Sequence, residues 1–133
     1  MRTIGFLALL LWTGVAQAQK APTIEDIAKR VIQQMSEGQF DEASEALSPG
    51  LKSIQTPSSL MAHWKDLTDK NGAFAGIGGT RREHKGMRDS VYVRCKFEKG
   101  AVEIKAAFDR DNTIMGISFG PPQTPRNRKP KPH

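Results

Sequence analysis

The stretch 91-VYVRCKFEKGAVEIKAAFDRDNTIMGISF-119 decides how this chain folds. Val91, Val93, Cys95 and Phe97 alternate with Tyr92, Arg94, Lys96 and Glu98. Val102, Ile104, Ala106 and Phe108 then alternate with Glu103, Lys105, Ala107 and Asp109, and Met115, Ile117 and Phe119 continue the phase. A period of two held over three runs predicts antiparallel strands with one face buried and the other in water. Glu98-Lys99-Gly100 and Arg110-Asp111-Asn112 fall between the runs and read as tight turns. Gly100 and Asn112 are the residues that tolerate positive φ there.

A sheet with one apolar face needs a cover, and the preceding residues supply amphipathic helices. Thr23 is placed to cap the first, with Glu25 and Asp26 in its first turn, where the helix dipole favours acids. Ile24, Ile27, Ala28, Val31, Ile32 and Met35 make one apolar face, and Gly38 ends it. A second helix is predicted from about Phe40 to Leu47, stopped by Ser48-Pro49-Gly50, and forms a hairpin with the first. The third runs from the Thr56-Pro57 start to the Asn71-Gly72 stop, with Leu60, Met61, Trp64 and Leu67 inward. A first strand follows from about Phe74 to His84, bent or bulged at Gly78-Gly79. Lys85 to Asp89 reads as a polar connection to the next strand.

The ends of the chain read differently from its body. Residues 1–18 have the layout of a secretory signal: Arg2, an apolar run from Ile4 to Val15, then Ala16-Gln17-Ala18. The apolar run is shorter than the roughly 20 residues a spanning helix needs. Cleavage after Ala18, a secreted or periplasmic location and no transmembrane anchor in the mature form are the expectations. Residues 122–133 form a proline-rich tail with Arg126, Arg128, Lys129 and Lys131 and no acid, predicted to be disordered or extended. The folded domain is therefore expected over 22–121.

Most of the formal charge of +6 belongs to these ends. Between Gln19 and Gly120 the chain carries 15 bases against 14 acids, which gives the body no global pull toward nucleic acid. The cationic tail suits an anionic envelope surface instead, or acts only as a solubilising terminus. Cys95, the one cysteine, allows no internal disulfide. It shares the apolar phase of Val91 and Phe97, which makes it a small buried hydrophobe rather than a redox site.

Specific residues carry a family resemblance. Gly38-Gln39-Phe40-Asp41 with Ala43 resembles the Gly-x-Phe-Glu junction between the first two helices of the nuclear-transport-factor-2-like superfamily, which has the cystatin-like cone fold. Trp64-x-x-Leu67, Gly72-x-Phe74, Phe97-Glu98-Lys99-Gly100, Phe108-Asp109 and Ile114-x-Gly116-Ile117-x-Phe119 are similar to one branch of it. That branch is a secreted bacterial domain of unknown function, found alone or ahead of α/β-hydrolase domains. The resemblance covers about Ile24 to Pro121 and implies an α+β fold: a helical hairpin and a third helix packed on a curved four-stranded antiparallel sheet. It transfers no catalytic residues. Relatives of this shape commonly dimerise, which implies a homodimer through the sheet face. The Gly-x-Ser-x-Gly elbow of the hydrolase partner is not in this sequence.

The candidate sites follow from this layout. Trp64, Phe74, Phe97, Phe108 and Phe119 are placed to line a pocket between sheet and helices, although a small domain needs such residues to fill its core. His63 and Asp66, three apart on the third helix, are the one pair with acid–base potential; solvent exposure is the plainer role for both. Arg81, Arg82, Lys85 and Arg88 form the densest basic run of the body, with acids interleaved as on a solvated, cross-paired strand face. Three scattered histidines and one cysteine in an apolar phase make no metal-ligand set, and no cofactor is expected. The reading is an exported non-catalytic binding or accessory domain. Its rival is a small-molecule enzyme, isomerase- or hydrolase-like, that uses the pocket.

Overall fold

The computed structural model describes residues 21–122. The order is α1 (Ile24–Ser36), α2 (Phe40–Ser44), α3 (Pro49–Lys52), α4 (Pro57–Asn71), then β1 (Phe74–Lys85), β2 (Arg88–Phe97), β3 (Gly100–Phe108) and β4 (Ile114–Gly120). The four strands form one antiparallel sheet in the order β1-β2-β3-β4, each strand beside its sequence neighbour. The fold is α+β, with α1 packed on β1 and β2, and α2 on α1 and α4.

Helix α1 opens on a reciprocal cap. The Asp26 amide donates to Thr23 Oγ1 and the Thr23 amide donates to Asp26 Oδ2, both at 3.2 Å. All six apolar residues of its stripe are buried. Helix α4 opens on Thr56, whose hydroxyl accepts from the Ser59 amide, and closes at Gly72 with φ 84°. Gly72 is required twice over. Its backbone is left-handed, and a Cβ there would lie 2.8 Å from the Cβ of Glu98. The close approach lets the β2–β3 turn bond the α4–β1 corner, with the Lys99 amide donating to Asn71 O and the Glu98 amide to Ala73 O.

The second predicted helix is replaced by a shorter helix, a bridge and a further turn. Past Ser44 the amides of Glu45, Ala46 and Leu47 bond back only three residues, to Glu42 O, Ala43 O and Ser44 O, and the chain then turns to the edge of β4. Ile114 donates its amide to Ala46 O at 2.9 Å, the Ser48 amide donates to Ile114 O at 2.8 Å, and Leu47 bridges Ile114 in parallel. Ser48 then starts α3 rather than stopping a helix; its hydroxyl accepts from Leu51 N and Pro49 takes the first helical position.

The core lies between α1, α2, α4 and one face of the sheet. Val91, Val93, Cys95 and Phe97 face it from β2, and Val102, Ile104, Ala106 and Phe108 from β3. In β4 the expected phase fails at Met115. Phe108 pairs with Ile114 but Ala107 with Gly116, so Met115 is an extra residue, a bulge. The bulge turns Ile114, fully buried, onto the same side as Ile117 and Phe119. Met61 also departs from expectation: it is 51% exposed, while Leu60, Trp64 and Leu67 make the buried face of α4.

The turns need two further corrections. The polar connection after β1 shrinks to Gly86-Met87, with Lys85 paired to Arg88 and Gly86 at φ 60°. In the β2–β3 turn Gly100 is not left-handed but already pairs with Phe97, whereas Asn112 does take φ 60°. The bend in β1 falls at Gly78-Gly79, where the register shifts between Ile77 and Thr80.

Candidate functional site

The C-terminal half of α4 meets the start of β3 and the end of β4 at an open groove of about 360 Å³. Leu67 and Val102, both buried core residues, and half-buried Phe119 give it an apolar floor. Asp66, Lys70 and Asn71 give it a polar rim, and Gly120-Pro121 close one end. The 3.6-residue period of α4 puts Asp66 and Lys70 on the same rim, where they ion-pair at 3.0 Å in exposed positions. Asn71 Nδ2 donates to the Leu67 carbonyl. One turn earlier, the exposed His63 ring stacks on Phe119 with centroids 5.4 Å apart and planes at 26°.

This geometry separates the two residues with acid–base potential. His63 lies on Phe119 and Asp66 is held by Lys70, with no hydrogen bond between them. The five candidate pocket aromatics also divide. Trp64, Phe74 and Phe97 pack on one another with centroids 5.3 to 5.7 Å apart, near one end of the sheet. Phe108 is 1% exposed and pairs with Ile114 toward the other end, and Phe119 borders the groove. A second groove, about 410 Å³, lies between α1 and α2 and is lined by Arg30, Gln34, Glu42, Glu45 and Ala46, largely polar groups. Leu67, Lys70, Asn71 and Val102 belong to the α4 groove and escaped the sequence reading. Only the folded chain places the start of β3 beside the end of α4, and neither segment signals that alone.

The chain from residue 28 to residue 117 matches the model of a family described as "Protein of unknown function (DUF3887)". That match spans more than half of the sequence. The chain belongs to the DUF3887 family. No curated protein matches it. The matched DUF3887 region runs from within α1 to within β4, so it holds the groove residues of α4 and β3 and stops short of Phe119, Gly120 and Pro121.

On the opposite face of the sheet this DUF3887 domain is polar. Arg81 reaches Glu103 at 3.1 Å and Glu83 at 3.8 Å, and its guanidinium lies 4.0 Å from the centre of the Tyr92 ring. Arg82, the next residue, points the other way and ion-pairs with Glu25 of α1 at 2.6 Å, tying helix to sheet. That hydrogen bond holds the Glu25 carboxyl below its ordinary range. His84 and Asp89 pair across the β1–β2 hairpin. Among the described residues no three His, Cys, Asp or Glu side chains gather as metal ligands, and no helix is long and apolar enough to cross a membrane. Cys95 is buried, and desolvation pushes its thiol up to about 12. The signal at 1–18 and the tail cations Arg126, Arg128, Lys129 and Lys131 lie outside the described residues.

Proposed function

We propose that this chain is an exported, non-catalytic binding domain with the cone architecture of the nuclear-transport-factor-2-like superfamily, and that the groove beside α4 seats its ligand. The groove's composition carries this reading: an apolar floor of Leu67, Val102 and Phe119 under a rim of self-paired Asp66 and Lys70. Such a site takes up an apolar body and orients it by a few edge contacts. An enzyme of this shape calls for an ionisable group held inside the pocket. Every buried residue among those described is hydrophobic, which favours binding over chemistry. The succession of helix pair, long helix and four-stranded meander supports the cone. The residue pattern of 1–18 supports export.

The groove is tested with an apolar fluorescent probe, anilinonaphthalene sulfonate, added to the folded exported chain. Phe119→Leu removes part of the floor, and because Phe119 is only half-buried it should cost about 1 kcal/mol of stability. The expected result is probe affinity at least tenfold weaker with the denaturation midpoint nearly kept. Equal affinity in the two proteins overturns the assignment. N-terminal sequencing of the exported chain should begin at Gln19, and an intact Met1 would reject the export reading.

A further inference from the structure

The charges of this domain are sorted by layer. Residues 21–72, which build the helices, hold eight acids and five bases; residues 73–122, which build the sheet, hold nine bases and six acids. Strand alternation then sorts them by face. Arg81 stands beside Tyr92, Tyr92 beside Lys105 and Arg94 beside Glu103, all on the face away from the helices. Lys96 follows on that face, and Lys85 pairs with Arg88 at its far end.

The outer face therefore holds six cations against two carboxylates, Glu83 and Glu103, and both of these turn to Arg81. Lys85, Arg88, Arg94, Lys96 and Lys105 have no ion-pair partner among the described residues. Four of the five are exposed and Lys105 is half-buried. Their spacing narrows the partner. From Arg88 to Lys96 the strand runs about 26 Å at ~3.3 Å per residue. Cations strung over that length match a chain of repeated negative charges, since one small anion needs its donors converged.

The face offers a bilayer little to hold. The exposed large hydrophobics of the described chain are Ile54 and Met61, on the helical side, and Met87 at a hairpin tip. Tyr92 lies under the Arg81 guanidinium.

We propose that the outer face of the sheet, through Lys85, Arg88, Arg94, Lys96 and Lys105, binds a linear acidic polysaccharide. This site is separate from the groove and relies on the export reading only for access to such polymers.

Affinity electrophoresis of the full exported chain in polygalacturonate tests it, with neutral dextran and phosphatidylglycerol–phosphatidylcholine vesicles as comparison probes. Retardation in polygalacturonate but not dextran is expected, weakening as salt shortens the screening length. The triple variant Arg94→Gln/Lys96→Gln/Lys105→Gln should bind roughly a hundredfold more weakly, at about fivefold per cation. Lys29→Gln/Arg30→Gln/Lys52→Gln, which removes as much charge from the helical side, should stay within about twofold. Should the triple variant fail to fold, Arg94→Gln alone must still show about a fivefold loss. Three outcomes overturn the proposal. The triple variant binds like the parent while Arg126→Gln/Arg128→Gln/Lys129→Gln/Lys131→Gln loses all binding; vesicles are bound more tightly than the polymer; or the face proves to be a contact between two copies, with dimers that the triple variant dissociates and no binding of polymer.

Discussion

On its inner side β2 presents Val91, Val93 and Cys95, each fully buried, and on its outer side Tyr92, Arg94 and Lys96, interleaved one for one. The same backbone thus belongs to two environments with different rules. Inside, the side chain's shape is what counts, because neighbours cannot move to fill a void. Outside, its charge counts, and shape is nearly free. The comparison teaches that stability and surface recognition can vary independently in this sheet, one residue apart.

Truncation gives the largest contrast. Phe108→Ala on the inner side should cost about 3–5 kcal/mol in chemical denaturation, whereas Lys105→Ala outside should change stability by no more than about 0.5 kcal/mol. Similar losses at both positions would mean that the outer face is covered. Next is the bulge in β4. Ile117→Lys should destabilise severely because it forces a charge toward the core, while Met115→Lys, on the extra residue, should be far milder. Reversal of that order by thermal melting would place the register one residue off.

Cys95 sharpens the contrast by rate. A thiol raised to about 12 and fully buried should react with a labelling reagent only as fast as the sheet opens, while a cysteine placed at Arg94 should react at once. The smallest effect is expected from pH. Glu25, hydrogen-bonded by Arg82, and Asp109, which accepts from the Thr113 hydroxyl, both have lowered folded values. Their contributions are present above the ordinary carboxylate range and fade as pH falls through it toward the lowered values. Stability should decline slightly below about pH 4, and Arg82→Met should flatten the part due to Glu25.

Much of the scaffold was legible because its signals are local. Alternation placed β2 and β3, the Thr23 and Thr56 caps placed α1 and α4, and the glycine pair at 78–79 marked the irregular strand. What escaped depends on partners distant in sequence. Ser48-Pro49-Gly50 reads equally as a helix stop or a helix start, and only the β4 edge decides which. Met115 reads as part of an alternating strand until Phe108 and Ala107 are seen to pair with Ile114 and Gly116. The His63–Asp66 spacing was correct for one helix face, yet Phe119 and Lys70 occupy the two side chains. The groove needed the end of α4 and the sheet to be seen together.

The bridge between Leu47 and Ile114 has a consequence for how the chain assembles. The hairpins of the sheet close over short loops at little chain-entropy cost. The bridge closes a loop reaching from residue 47 to residue 114, and its chain-entropy cost is met only once both ends are held by other contacts. As a single bridge at the sheet's edge, outside the strand ladders, it is expected to form late in folding and to open early. Amide exchange at Ser48 and Ile114 should run ahead of exchange at Val93 and Ile104.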